Sequence, residues 1–390
     1  MKSIVLGIVS LAAAPLLAGL YGDTPDAKHA WAVHDRNRPN PTKVEPGKCF
    51  ACAPSDAVVL FDGTKESFEK NWCDNKGNPS KWTMGTEGDF FCVPGNKNGG
   101  DVYTRAKFGD CQLHLEFRHD ADITGGDQMR GNSGVFLMGE YEIQVMESYG
   151  TNPDQMTNPN YADGQAAAVY AENPPMVNPA RKAGEWQTYD IVFHQPIFNG
   201  QELVHPGSVT VFFNGVLVQD HWEMEGRSTH CRRRPLGPHG KAGQLHFQDH
   251  GCAVHFRNIW YRPLPSRWDN KTHSAMSADE AEVMKLRKET AEKLFAKINL
   301  AKKDDAGTLN ALLEVISYSK DEKFMNALKD CCAAYTAKLA ALKGADAESK
   351  KGEVNGVWGS LGVLRRNNVI PADCKLFGFI EQYRKEHGWK

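Results

Sequence analysis

The sequence predicts a mainly β chain, a β-sandwich or jelly roll through residue 265, followed by a small all-α domain. Three observations support this. Ten short strand-like runs between residues 58 and 262 are punctuated by Gly, Asn and Asp. The turn Phe213-Asn214-Gly215-Val216 supplies the positive φ angles that a tight hairpin needs. After Pro263-Leu-Pro265 the hydrophobic period changes from two to that of amphipathic helices.

In chain order, residues 1–22 carry one basic residue, Lys2, then an apolar run broken by Pro15 and ending in small residues. That is the pattern of an export signal cleaved between Ala18 and Gly22, and the run is too short for a permanent membrane span. The expected location is therefore periplasmic or secreted, with no integral membrane segment after cleavage. Residues 23–56, rich in Pro, Asp, Asn and Lys, read as one extended segment pinned by its cysteines. Ten cysteines in an exported chain suggest disulfide staples, although spacing does not assign the pairs. Cys49-Phe-Ala-Cys52 lacks the second C-x-x-C of a zinc ribbon, and Ala53 stands where haem attachment needs histidine.

The strand runs fall at 58–61, 82–84, 90–93, 102–104, 111–118, 135–146, 187–194, 208–213, 245–250 and 254–262. Several alternate cleanly. Leu113, Leu115 and Phe117 oppose His114, Glu116 and Arg118, while Tyr141, Ile143 and Val145 oppose Glu142 and Gln144. Leu245 and Phe247 oppose Gln244, His246, Gln248 and His250, and Val254 and Phe256 oppose His255 and Arg257. A single polar residue on a sheet face is usually just solvated. Four strands with the same chemistry suggest that their polar faces pool into one surface lining a site. The Asn/Pro-rich segment 151–185 has the length of a functional loop or lid, and its Tyr161 and Tyr170, with Trp186 directly after it, would suit the apolar face of a sugar ring.

Residues 277–390 form the α-helical domain, opening on the capping-box sequence Ser277-Ala-Asp-Glu280 and continuing through amphipathic runs at 309–316, 324–342, 357–364 and 374–383. These helices carry no catalytic motif, and a protein partner would suit them. With 46 basic against 48 acidic residues, the net charge of -2 shows no bias towards nucleic acid, and a small neutral or polar ligand is expected.

Val59-Leu-Phe-Asp-Gly63, Leu115-Glu-Phe-Arg118, Gly131-Asn-Ser-Gly-Val-Phe136, Tyr141-Glu-Ile-Gln-Val145, Gly184-Glu-Trp186, Asn214-Gly215, Gln248-Asp-His-Gly251 and Phe256-Arg-Asn-Ile259 occur in an order that resembles the 3-keto-disaccharide hydrolase domain family. This family is also described as a 3-keto-glucoside 1,2-lyase and 3-keto-2-hydroxy-glucal hydratase. The resemblance covers residues 57–265. It implies a concanavalin/laminarinase-like β-sandwich acting on a small oxidised glycoside or disaccharide with a ketone at sugar carbon 3. The ketone acidifies the C2 hydrogen. A base removes that proton, the group on C1 leaves by elimination, and water adds back to give net hydrolysis. Such a site needs a base, an oxyanion stabiliser and an acid near the leaving oxygen.

On this reading Glu142 or His250 is the base, Arg257 with His114 stabilises the oxyanion, and Glu116 is the acid or orienter. Asn132, Gln144, Gln248, Arg118, His114 and Trp186 hold substrate. No cofactor is assigned. A divalent metal is an alternative stabiliser, with His114, Glu116, Glu142 and His250 as its N and O ligands. Two competing readings are a non-catalytic carbohydrate-binding module and a glucanase-like hydrolase using Glu140 and Glu142 as paired carboxylates on unoxidised glycans.

Overall fold

The run at 135–146 is two strands rather than one, Ser133–Leu137 and Tyr141–Val145, because Met138 and Gly139 both take positive φ (54° and 74°) and reverse the chain. A methionine in that conformation is not a turn signal that sequence reading recognises. The reversal at Asn214-Gly215 (φ 51° and 78°) joins Ser208–Phe213 to Val216–Glu223 as expected. The computed structural model describes residues 22–95, 99–150, 161–265 and 280–389. The export signal up to residue 21, the first part of the long loop (151–160) and residues 277–279 of the capping box lie outside these.

Residues 42–266 form one unit, a sandwich of antiparallel sheets. The larger sheet runs Val216–Glu223, Ser208–Phe213, Gln187–His194, Cys111–His119, Val254–Pro263, Phe90–Phe91 and Thr83–Met84, with Val58–Phe61 also paired to Val254–Pro263. The smaller sheet runs Trp72–Cys73, Val102–Phe108, Gly243–Phe247, Ser133–Leu137 and Tyr141–Val145. The apolar side chains of both sheets meet between them. Leu113, Leu115 and Phe117 from the larger sheet, and Tyr141, Ile143, Val145 and Phe247 from the smaller, are at most 1% exposed in a single core. Full burial of each large apolar side chain contributes about 1.5–3 kcal/mol. The alternating polar residues of the two sheets therefore point in opposite directions, away from that core.

The second unit contains the helices Glu280–Phe295, Ala306–Tyr318, Glu322–Ala341, Lys351–Arg366 and Lys375–Glu386 with the short Gly344–Glu348. Asp305 caps the second of these, accepting from Thr308 N at 2.9 Å. The segment 23–56 is not one extended piece. Residues up to 41 belong to this helical unit, where Ala30 and Trp31 enter its core, and residues from 42 belong to the sandwich. Its apolar pair goes where apolar surface is available, and its cysteine loop goes elsewhere. Cys49 and Cys52 form a disulfide, the sole one among the described residues, and the other eight cysteines are free thiols. No described helix is long and apolar enough to cross a membrane.

Candidate functional site

On the outer face of the smaller sheet, strand register sets a row of side chains in which Tyr103 lies opposite His246, His246 opposite Phe136, and Phe136 opposite Glu142. His246 stacks on Phe136 with ring centres 4.3 Å apart and lies 4.6 Å from Tyr103. This aromatic strip excludes water from Glu142, which is 4% exposed. Glycine at 134 makes room for the carboxyl group, since a Cβ there would sit 2.3 Å from Glu142 Oε1. Burial, reinforced by the negative charge of Asp101, pushes the Glu142 carboxyl up to about 8. Burial likewise holds the His246 imidazole down at about 4, so it is neutral at physiological pH.

A cavity of about 270 Å³ opens over Glu142. Five of the expected residues line it together: Glu142, Gln144, Asn132, Gln248 and His250. Asn132 Nδ2 and Gln144 Nε2 both donate to Gln128 Oε1, at 3.0 and 3.3 Å. Asn132 Oδ1 and Gln144 Oε1 are buried without a hydrogen-bond partner among the described residues. Two orphaned acceptors in a polar cavity are what a ligand with several hydroxyl groups would satisfy. The strand Gly243–Phe247 ends before Gln248, so Gln248 and His250 reach the cavity from a turn rather than from a continued strand. Glu147 serves the frame, binding Arg130 Nε at 2.5 Å and fixing the loop that carries Asn132.

Two segments complete the walls. Residues 167–173 run along the edge of Tyr141–Val145, with Gln144 N donating to Ala168 O at 3.0 Å and Tyr170 N to Glu142 O at 3.1 Å. The tip of the hairpin Gly226–Arg227 with Arg234–Pro235 reaches the same edge, where Ser228 Oγ accepts from Glu142 N at 2.9 Å. Tyr170 Oη pins both walls, bonding Tyr161 Oη at 2.7 Å and His230 Nδ1 at 2.9 Å.

The remaining expected residues lie elsewhere. Glu116, Arg257, His114, Arg118 and Trp186 are on the outer face of the larger sheet, with the core between them and Glu142. The expectation that all four polar strands pool their faces does not hold, because Cys111–His119 and Val254–Pro263 joined one sheet and Tyr141–Val145 and Gly243–Phe247 the other. On the larger sheet the charges satisfy one another. Glu116 binds Arg257 Nε at 2.7 Å and Asn258 Nδ2 at 2.9 Å, with His114 Nε2 at 4.0 Å. Burial opposes ionisation of Glu116, but hydrogen bonds from His114, Asn258 and Arg257 outweigh it and hold the carboxyl down at about 2. A bulge at Asn258 (φ 47°) places Arg257 and Asn258 where both can reach Glu116. The disulfide loop covers this face, as Asn258 Nδ2 and Trp260 Nε1 both donate to Ala51 O. Arg257 Cζ lies 3.9 Å from the ring centre of Trp186, whose Nε1 donates to Glu87. Arg118 pairs with Glu87 at 3.3 Å.

The four-residue metal set is divided in the same way, His114 and Glu116 on one sheet and Glu142 and His250 on the other. Among the described residues no group of three or more His, Cys, Asp or Glu is placed to hold a metal ion. Glu140 does not join Glu142 as a paired carboxylate. It sits in the turn before the strand, 3.0 Å from Arg234. Residues that the sequence did not single out as site residues are His246, Gln128 and His230, along with Tyr170 as a hydrogen-bonding group. His246 shares the alternation of Gln244 and Gln248, a signal that was present. For His230 and Gln128 no periodic signal existed.

The sequence model of the 3-keto-alpha-glucoside-1,2-lyase-like domain matches residues 56–262. A crystal structure from Parabacteroides distasonis ATCC 8503, described as a candidate glycosyl hydrolase, is 39% identical with a TM-score of 0.52, over 58% of this chain and 93% of that one. A second candidate glycosyl hydrolase from the same organism is 19% identical with a TM-score of 0.38, over 54% of this chain and 94% of that one. No curated protein matches the chain.

Proposed function

Because the chain belongs to the 3-keto-alpha-glucoside-1,2-lyase-like family, we propose that it is an exported carbohydrate-active enzyme whose cavity over the smaller sheet cleaves glycosides oxidised at carbon 3. The observation that carries this reading is Glu142, a buried carboxyl raised to about 8 at the base of a cavity lined with amide groups. The Parabacteroides relative described as a candidate glycosyl hydrolase supports the broader class.

Ionised Glu142 is a stronger base than an ordinary carboxylate, because its desolvated site favours recovery of a proton. It takes the C2 proton next to the ketone, and the electron pair forms an enediolate. The C1–O bond then breaks, and the leaving oxygen takes a proton from His250, which sits at the exposed rim of the cavity. Water then adds to C1 of the resulting 2-hydroxy-glucal, giving its proton to His250, while Glu142 returns its proton to C2, so both groups are restored and the net reaction is hydrolysis. Asn132, Gln144 and Gln248 hold the sugar hydroxyls, with the orphaned Asn132 and Gln144 oxygens as acceptors. Arg257, His114 and Glu116 take no part, and oxyanion stabilisation falls to the amide and hydroxyl donors of the cavity.

The test is incubation with a 3-keto-glucoside and with its unoxidised parent, with and without chelator. Consumption of the keto sugar alone, through a 2-hydroxy-glucal, is the expected result. Cleavage of the parent sugar would overturn the elimination route, and binding without turnover of either would make the domain a carbohydrate-binding module.

A further inference from the structure

The cavity over Glu142 does not end at Tyr170 and His230. Both residues also line a neighbouring cavity of about 360 Å³, which in turn shares Tyr170, Arg232 and Arg233 with a third of about 260 Å³. The three cavities thus adjoin one another through shared walls, from Glu142 past Tyr170 to Arg232 and Arg233, and we treat them together as one groove.

The charge changes along this path. Near Glu142 the walls are amides and aromatic rings. The far lining has four guanidinium groups, on Arg227, Arg232, Arg233 and Arg234, against two carboxylates, on Glu172 and Glu225. Glu172 is already engaged, accepting from Trp222 Nε1 and Glu225 N at 2.6 Å each and from Gly226 N at 3.3 Å. Arg234 is paired to Glu140 at 3.0 Å, and Arg227 donates to Pro235 O at 3.1 Å. Arg233 has a single distant partner, Glu225 at 4.0 Å, in a pair that is mostly exposed. Arg232 has no hydrogen bond or ion pair among the described residues. Two adjacent guanidinium groups are therefore uncommitted at the far end of a groove that begins at the proposed base. Tyr161, 38% exposed, stands with Tyr170 between the two ends and offers a ring face.

We infer that this groove holds the leaving-group part of the substrate, and that this part is a sugar bearing an oxyanion, a carboxylate or a sulfate ester, read by Arg232 and Arg233. The planar fork of arginine matches both groups in bidentate fashion. The tyrosines pack against the ring of the sugar between the scissile bond and the anion. The inference rests on the proposed reaction at Glu142 for what it calls the leaving group, but the anion preference itself is a matter of binding.

Calorimetry on the full chain separates the two. Three unoxidised glucosyl disaccharides serve as probes: one ending in glucose, one in glucuronic acid and one in glucose 6-sulfate. We expect at least one acidic disaccharide to bind about tenfold tighter than the neutral one at low salt, and the advantage to shrink as ionic strength rises. The carboxylate and sulfate arms identify which oxyanion is preferred. In an R232Q/R233Q double variant, with an unchanged circular dichroism spectrum and melting temperature, the ratio should fall to about one. Equal binding of all three by the wild type would overturn the inference, as would a preference that survives in the double variant. A wild type that prefers the acidic disaccharide but does not consume 3-keto-glycosides would refute the reaction and leave the anion subsite standing. The converse result would refute the subsite alone.

Discussion

Two glutamates occupy equivalent places on opposite faces of the sandwich and behave in opposite ways. Glu116 and Glu142 each alternate with large apolar residues on a strand, each points away from the core, and each is buried, at 8% and 4% exposure. Glu116 is met by Arg257 and Asn258, and its carboxyl is held down at about 2. Glu142 is met by an aromatic row, a glycine and the distant charge of Asp101, and it is pushed up to about 8. Burial alone is thus no guide to reactivity. The partners decide whether a buried carboxylate is part of the frame or available for proton transfer.

The largest effect expected from this contrast is on turnover. A Glu142→Gln variant should lose about 10²- to 10⁴-fold in kcat on a 3-keto-glucoside while remaining folded, as steady-state kinetics will read. Gly134→Ala should come next, because its Cβ would displace the Glu142 carboxyl. About a 10²-fold loss of kcat is expected from such a misplacement, and near-normal activity would mean that the carboxyl position does not matter.

Arg257→Ala breaks the comparison from the other side. It leaves Glu116 buried and short of a partner, so chemical denaturation should show a loss of about 3 kcal/mol. Turnover per folded molecule should stay within about twofold, since the core separates the two sites. A collapse of kcat in a folded Arg257→Ala protein would return the larger-sheet face to the catalytic account.

The comparison also extends to the pH dependence of stability, where the two glutamates have opposite signs. Glu142 binds its proton more tightly in the folded chain. Its contribution is complete below about 4.5 and is lost as pH rises towards 8, with a slope of up to about 1.4 kcal/mol per pH unit. Glu116 binds its proton less tightly when folded, so its contribution is present above about 4.5 and is lost as pH falls towards 2. Melting temperatures across this range should show the alkaline decline flattened in Glu142→Gln and the acid decline flattened in Glu116→Gln.

Much of this was legible in the chain. Period-two alternation marked the strands and separated Leu113, Leu115 and Phe117 from their polar neighbours, and Asn214-Gly215 marked a hairpin. Strand alternation and the family resemblance named Glu142, Gln144, Asn132, Gln248 and His250 in one pool with Glu116, Arg257, His114, Arg118 and Trp186, and one cavity gathers only the first five. The assignment of strands to sheets was not legible. Alternation tells which side chains share a face of one strand, but two strands with the same pattern can lie on opposite sides of a core, as Glu116 and Glu142 do. Local irregularities were hidden for a related reason. Met138 takes positive φ in a local turn although methionine is no turn signal, and the bulge at Asn258 interrupts pairing with Cys111–His119, which the alternation of one strand does not show. Nor could spacing reveal that the hairpin tip at Ser228 to Arg233 turns back over the edge strand, because that placement depends on hydrogen bonds to Glu140 and Glu142.

The claim that these two carboxylates are opposites is most directly tested by ¹³C NMR titration of the glutamate side-chain carboxyl carbons, with Glu142→Gln and Glu116→Gln as assignment controls. The account predicts one carboxyl titrating near 8 that disappears in Glu142→Gln, and one near 2 that disappears in Glu116→Gln. A Glu142 signal titrating in the ordinary range, near 4.5, would contradict it.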